Sequence, residues 1–370
     1  MKKNRKTKIF VAMSGGVDSS AAALLLKRRG YDLVGCFIKG WYPQGFGCDW
    51  KRDRRDAMMA CAKLGIPFIT VDAEKEYKKE VVDYMIREYR AGRTPNPDVM
   101  CNRSVKFGVF LEKALAMGAD KIATGHYVRL RRSAAKYRLL QARDKNKDQS
   151  YFLWALKQKQ LKHCLFPVGN LLKTEVKRIA REAGLHTAEK DESMGVCFIG
   201  KFNMADFLKK YIKPKKGKVI TADGKVIGEH DGAVFYTIGQ RHGFGGGGGT
   251  PYYVVAKDIK KNLLIVADKK KEKDFLKKEV EIENANWISG RPPRRLEARQ
   301  LPSGSKRDRA KLFKARIRYR QPLQSCRIKR LRRGKSAWRV EFTKPQRAAT
   351  PGQSLVVYDG QTMLGGGIIR

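Results

Sequence analysis

The sequence is poor in acid. Its 370 residues carry 36 Asp and Glu against 80 Lys and Arg, a formal charge of +44. An imbalance of that size favours a polyanionic partner, of which nucleic acid is the commonest, the alternative being a proteome that is basic throughout. Paired cysteines are missing as well. Cys36, Cys48, Cys61, Cys101, Cys164, Cys197 and Cys326 are odd in number, scattered and without a C-x-x-C pair. That excludes a secreted disulfide framework and a dedicated zinc site of the usual spacing, and makes most of them ordinary buried thiols. Apolar runs are short, and none approaches a membrane span. The basic opening MKKNRKTKIFVAMSGG has the charge of a signal peptide, but its apolar stretch, Ile9–Met13, stops in Ser-Gly-Gly. The expectation is a cytoplasmic protein with no membrane contact.

What is present is a strand–helix alternation through residue 200 or so. Lys8–Ala12 reads as a buried strand and Ser19–Arg29 as the helix behind it. Leu33–Ile38, Pro67–Val71 and Lys121–Thr124 read as further strands, with helices over Asp53–Leu64 and Val105–Met117. This spacing predicts an α/β, doubly wound parallel sheet with ligands at the carboxyl ends of its strands. After Gly200 the texture changes. Lys213–Lys218 reads as a linker or exposed loop, Gly245–Gly249 as a mobile glycine loop, and the chain from about Val280 as a small β-barrel. Within the barrel, KARIRYR alternates: Ala315, Ile317 and Tyr319 on one face, Lys314, Arg316, Arg318 and Arg320 on the other. Such a ladder suits an RNA backbone, or equally a merely solvated face.

Two stretches carry chemistry. Ser14–Ser20, SGGVDSS, lies between the first strand and first helix, where glycines and a helix N-terminus cradle phosphate. It lacks the lysine of G-x-x-x-x-G-K-[ST], which favours pyrophosphate capture over γ-phosphoryl transfer. The second stretch is TPNPDVMCNRSVKFG, Thr94–Gly108. Asn96 is placed to cap a helix with Pro97 as its first residue, which sets Asp98 and Cys101 in the opening turns, where the helix dipole favours a thiolate.

With SGG-x-DS in this position the chain resembles the PP-loop ATP pyrophosphatases. SGGVDSS, GRTPNPDVMCN, ATGHY, KDQSYFL, GVCFIG, YTIGQR, YRQP, TPGQS and GGGII, in that order, make it similar to the tRNA-specific 2-thiouridylase family. The resemblance spans Ala12 to Ile369. It implies a PP-loop (adenine nucleotide alpha hydrolase-like) ATP-binding catalytic domain over 1–200, a small tRNA-contacting central domain over 201–276 and a tRNA-binding C-terminal β-barrel over 277–370. It implies ATP-dependent 2-thiolation of the wobble uridine of Lys-, Glu- and Gln-type tRNAs, through an adenylated uridine, with release of AMP and pyrophosphate.

The resemblance also distributes roles. Cys197 matches the persulfide carrier, Cys101 the partner nucleophile that cleaves the S–S bond, and Asp98 an acid able to move a proton. ATP contacts carry over to Ala12, Met13, Ser14, Gly15, Gly16, Val17, Asp18, Ser19, Ile38 and Gly125, with Ile38 standing where the family has methionine. Asn96, Pro97 and Asp98 correspond to residues around the target base. His126, Lys147, Asp148, Gln149, Arg318, Tyr319 and Gln353 correspond to tRNA contacts. ATP would come with Mg2+, whose ligands the sequence does not assign. An Fe–S cluster on Asp98, Cys101 and Cys197 ranks second, because thiol chemistry explains both cysteines without iron. The implied partners are tRNA and a sulfur-donating protein, a sulfur carrier or cysteine desulfurase. The segment from Lys190 to Phe202 is the one expected to move. Two other classes fit parts of the pattern: a PP-loop AMP-forming ligase or amidotransferase acting on a small molecule, and a non-enzymatic basic RNA-binding protein.

Overall fold

A computed structural model describes the chain apart from residues 1–5, 44–49, 135, 191–202, 245–250, 294–311 and 332–335. Cys48, Cys197, the Gly245–Gly249 run and the Gly195–Gly200 motif therefore lie outside the described residues.

The strands, in chain order, are β1 (Lys8–Ala12), β2 (Asp32–Lys39), β3 (Phe68–Asp72), β4 (Lys121–Ala123), β5 (Val128–Ser133), β6 (Lys136–Gln141), β7 (Cys164–Leu165), β8 (Gly217–Thr221), β9 (Val226–His230), β10 (Tyr253–Asp258), β11 (Leu263–Ala267), β12 (Lys277–Trp287), β13 (Phe313–Arg316), β14 (Gln324–Arg330), β15 (Trp338–Gln346), β16 (Ser354–Asp359) and β17 (Thr362–Ile369). The first sheet is parallel, ordered β3-β2-β1-β4-β7. Its inner strands β1 and β2 are buried on both faces, as parallel strands are when helices cover each side, while β3 at the edge is only partly covered. Ile9, Val11, Leu33 and Phe37 pack toward helix α1 (Val17–Arg28), helix α2 (Trp50–Lys63) and the helix Lys173–Glu182. Phe10, Val34, Cys36 and Ile38 pack toward the opposite layer, with Tyr77, Val81, Met85, Val105 and Phe110.

That second layer is built from two composite helices. Glu74–Tyr77, Lys78–Asp83 and Tyr84–Arg90 follow one another without a break, as do Pro97–Met100, Cys101–Val109 and Phe110–Ala116. The middle piece of each is wound as a π-helix, and at the end of the second the Phe110 amide reaches Val105 O, five residues back. Sustained π winding is rare and concentrates at functional sites.

Strands β8–β11 form a separate four-stranded sheet, and β12-β15-β14-β13-β16-β17 form a barrel closed by the pairing of β12 with β17. One connection is not legible in the sequence. The hairpin β5–β6 leaves the N-terminal domain and joins the barrel sheet at β17, with Leu140 opposite Thr362 and Leu139 opposite Met363. The barrel is thus stitched to the nucleotide-fold domain by main-chain hydrogen bonds, and one apolar cluster runs from Phe10 through Leu139 to Val356.

The ladder reading of KARIRYR needs correction. Strand β13 ends at Arg316, and Arg320 adopts a left-handed φ of 63°, so alternation stops midway. Lys314, Arg318 and Arg320 are exposed, but Arg316 is buried, with Nη2 2.6 Å from Asp148 Oδ2. A guanidinium can face inward here because a buried carboxylate meets it.

Candidate active site

The SGGVDSS loop turns from β1 into α1 as a phosphate cradle would. Gly15 takes φ 75°, and a Cβ on it would sit 2.3 Å from Asp53 O, so the start of α2 closes directly over the loop. Ser19 Oγ accepts from the Ser14 amide at 3.1 Å and donates to Gly16 O at 3.0 Å, which fixes the curl. The ATGHY segment passes behind it: a Cβ on Gly125 would lie 2.7 Å from the Asp18 carbonyl carbon and from the Ser19 nitrogen. Met13, Val17 and Ile38 are buried and Ala12 half-buried. With so little side-chain surface open, they offer a ligand mainly backbone, which is compatible with isoleucine at position 38.

Asp18 is the link from this loop outward. Its Oδ1 accepts from Tyr127 Oη at 2.8 Å and from Lys173 Nζ at 2.6 Å. The Tyr127 amide donates to Gln149 Oε1 at 2.9 Å, and Gln149 N donates back to Tyr127 O at 2.9 Å. The next residues, Ser150–Leu153, form a short 3-10 turn under the barrel. There Ser150 Oγ meets Tyr358 Oη at 3.1 Å, Tyr151 Oη donates to Ser354 O at 2.8 Å, and Trp154 Nε1 donates to Ser354 Oγ at 3.0 Å.

The helix that carries Cys101 is held by the same parts. Asn96 Oδ1 accepts from Val99 N at 3.3 Å, with Pro97 at the first helical position, as the sequence indicates. Gln353 Nε2 donates to Thr94 O and Pro95 O, both at 3.0 Å, and Thr94 N donates to Pro351 O at 2.9 Å. TPGQS of the barrel therefore clamps TPNPD of the N-terminal domain. Asn102 Nδ2 reaches Phe152 O at 3.5 Å, and the Asn96 side chain lies beside the Tyr151 hydroxyl, whose pKa burial pushes up. Asn96, Pro97 and Asp98 are half-buried at the mouth of this helix, while Cys101 is 1% exposed.

The residues read as tRNA contacts divide. Lys147, Gln149, Tyr319 and Gln353 are half-buried and Arg318 is exposed. Tyr319 rests on Phe152 with ring centroids 4.6 Å apart. His126 is buried beside Phe107, with Nδ1 2.8 Å from Thr124 Oγ1. Burial and the nearby Lys106 hold its pKa well below the usual imidazole value, so it is neutral near pH 7. Asp148 is buried, and its oxygens take the Ala142 and Ser150 amides, Ser150 Oγ, Gln141 Nε2 and Arg316. In this arrangement Asp148 organises the loop that presents Lys147 and Gln149.

Burial pushes the thiols of Cys61 and Cys326 up to about 12 and raises those of Cys36 and Cys164 as well. Each of the four is buried and lies outside the matched motifs, the setting of a packing cysteine. Sequence reasoning does not single out Lys173, Tyr127, Ser354 or Tyr358. Tyr127 and Ser354 at least lie inside motifs, ATGHY and TPGQS, whereas nothing around Lys173 or Tyr358 marks them.

Three family profiles cover the chain: a tRNA methyl transferase HUP domain over residues 7–201, a tRNA methyl transferase PRC-barrel domain over 205–268 and an aminomethyltransferase beta-barrel domain over 277–369. Fold and site thus define a HUP-type α/β domain that carries a PRC-barrel-like domain and a closed β-barrel. Within that class, the chain belongs to the tRNA-specific 2-thiouridylase family. It is 45% identical over 367 residues to tRNA-specific 2-thiouridylase MnmA of Geobacillus thermodenitrificans, covering 98% of this chain and 95% of the relative. To the same enzyme of Alkaliphilus oremlandii it is 46% identical over 370 residues, 99% and 97% of the two chains. To that of Bacillus subtilis it is 44% identical over 372 residues, 100% and 96%. Among the described residues no helix is long and apolar enough to cross a membrane.

Proposed function

We propose that this chain is an ATP-dependent tRNA 2-thiouridylase, which replaces the C2 oxygen of the wobble uridine of Lys-, Glu- and Gln-type tRNAs with sulfur. Beside family membership, one observation carries the reading. The phosphate loop and the Cys101 helix are held in a common frame, through Asp18, Tyr127, Gln149 and the 150–153 turn. An activating site and a sulfur-delivering site have to share one substrate atom, and a frame of this kind fixes their separation.

The chemistry follows from the residues. A urea-like carbonyl oxygen leaves poorly, so uridine O2 first displaces pyrophosphate from the α-phosphorus of ATP, and the N3 proton is lost. The new O–P bond makes AMP the leaving group. The terminal sulfur of a Cys197 persulfide then attacks C2 and AMP departs. The Cys101 thiolate attacks Cys197 Sγ, the S–S bond breaks with its electron pair staying on the sulfur bound to C2, and N3 regains a proton as that sulfur becomes the thiocarbonyl. Two thiols are oxidised to one disulfide, which external thiols reduce. Asp98 at the mouth of the helix is the group placed to take a proton. Mg2+ would arrive on the nucleotide, coordinated mainly by phosphate and water. An Fe–S cluster is not needed for any of these steps.

In this reading residues 1–200 form the catalytic domain, and 201–276 and 277–370 contact tRNA. A sulfur carrier or desulfurase loads Cys197 in the cytoplasm. Pyrophosphate release, measured with and without tRNA, tests the whole. AMP and pyrophosphate should appear in step with thiolation. ADP and phosphate would sink the proposal, release on a small molecule without tRNA would favour the ligase reading, and tight tRNA binding without ATP use would favour a binding protein.

The corrected barrel surface gives a second expectation. With Arg316 turned inward, the exposed cations of this stretch are Lys314, Arg318 and Arg320. Changing these three to glutamine should lower the log–log salt slope of tRNA binding by about 0.7–0.9 for each lost phosphate contact. An unchanged slope and affinity would show the face to be merely solvated.

A further inference from the structure

The phosphate loop has no lysine of its own, and it carries a carboxylate, Asp18, in the first turn of α1. That is an awkward place for negative charge if the helix N-terminus is to receive a triphosphate, because the two anions repel at short range. The structure supplies a cation at this point from far along the chain. Lys173, the first residue of the helix Lys173–Glu182, meets the first turn of α1 and sets Nζ 2.6 Å from Asp18 Oδ1 and 5.7 Å from the centre of the Tyr127 ring.

The lysine is aimed, not incidental. Its amide donates to Asp144 Oδ2 at 3.0 Å. The preceding Leu172 amide donates to Glu175 Oε2 at 2.6 Å, and Glu175 is paired with Arg143 at 3.0 Å. The first turn of the helix is therefore fixed on both sides, and the Lys173 side chain is only 10% exposed. As a stability device, a pair whose lysine is so far removed from water is poor, since desolvation cancels most of the attraction. Lys190, near the same loop, is instead tied to two carboxylates of α2, Asp53 at 2.8 Å and Asp56 at 2.5 Å. The carboxylate that Lys173 meets, Asp18, already accepts from Tyr127.

We propose that Lys173 is the phosphate-binding cation of the ATP site: it holds the pyrophosphate moiety over the Ser14–Ser19 loop and stabilises it as the leaving group. This rests on the reading of that loop as the ATP site. As uridine O2 bonds to the α-phosphorus, the bridging P–O bond breaks and its electron pair leaves with pyrophosphate. The Nζ–H groups of Lys173 face that growing charge, while Asp18 and Tyr127 keep the ammonium in place between turnovers. The lysine absent from the loop sequence is thus supplied by the residue that begins a later helix.

The test compares ATP with AMP, which differ by the pyrophosphate moiety. Equilibrium binding of each is measured on the full chain for wild type, Lys173→Met and Lys173→Arg, with melting temperature recorded alongside. Losing a charge-assisted contact should weaken ATP binding by about 10- to 100-fold in Lys173→Met. AMP affinity should stay at the wild-type value, and Lys173→Arg should recover part of the loss. Lys173→Met binding ATP as wild type does would overturn the proposal. So would equal weakening of ATP and AMP together with a fall in melting temperature, the sign of a purely structural lysine. If Lys173→Met does not fold, the ATP-to-AMP comparison in Lys173→Arg decides, because a displaced guanidinium should alter ATP binding alone. A wild-type chain that binds neither nucleotide would instead remove the ATP-site reading itself.

Discussion

Cys101→Ser should load sulfur on Cys197 and release no thiolated tRNA, with turnover down by roughly 10^3-fold or more, as when a nucleophile is removed outright. The loaded state is the informative one. Without a thiol at position 101 nothing inside the protein cleaves the S–S bond, so the tRNA should stay joined to Cys197 until an added thiol frees it. Cys197→Ser should fail one step earlier and hold no labile sulfur at that position after treatment with a donor. Wild type after a single turnover without reductant should show a Cys101–Cys197 disulfide by mass spectrometry. Serine is close to cysteine in size, so packing around position 101 survives and the loss reports on chemistry. The near-complete burial of Cys101 adds a condition. In this reading the attacking thiol works out of contact with bulk solvent, and the disulfide requires its Cα to come within roughly 7 Å of that of Cys197. Thiolation by Cys101→Ser at the wild-type rate would end the two-cysteine scheme.

Much of this frame is legible in the sequence because its signals are local. Lys8–Ala12 as a strand, Asn96 as a cap and Pro97 behind it are decided by neighbouring residues, and the structure has them as read. The hairpin β5–β6 carries a similar local signal, Val128 and Leu130 alternating with arginines and then Tyr137 alternating with Leu139. Its role is hidden, since nothing within VRLRRSAAKYRLLQ says that its partner strand lies more than two hundred residues on. Arg316 fails for a related reason. Alternation assigns a side chain to a face, but which face is wet depends on what packs there, and Asp148 is 168 residues away. Lys173 stands in NLLKTEVKR, an ordinary helix start, and only the fold sets it against Asp18. Local propensity is written in the sequence around a residue, whereas a long-range polar pair appears only once the chain has closed.

The pair Arg316–Asp148 yields the largest expected loss of stability, and the two halves should not cost the same. Arg316 stacks on Tyr358, its centre 4.9 Å from the ring, and its Nε is already buried without a partner. Asp148 also anchors the Ala142 and Ser150 amides and the Ser150 hydroxyl. Arg316→Met leaves a carboxylate that keeps the Ala142, Ser150 and Gln141 donors, at a cost near the lower end of the roughly 3–5 kcal/mol seen for broken buried pairs. Asp148→Leu strands a buried guanidinium and two backbone amides together, and should reach the upper end or beyond. The double variant should regain the ion-pair share but not the share due to the amides. Hydrogen exchange at the amides of Ala142 and Ser150 separates the two, because Asp148→Leu should release both and Arg316→Met neither. The 147–154 segment bridges Tyr127 to the barrel, so Asp148→Leu should also impair thiolation, by loosening the frame that joins the phosphate loop to the Cys101 helix. A single Arg316→Met variant that melts with wild type and keeps full activity would show that the ion pair adds nothing to the β6–β17 pairing, the Gln353 clamp and the Ser354 contacts that also hold the barrel.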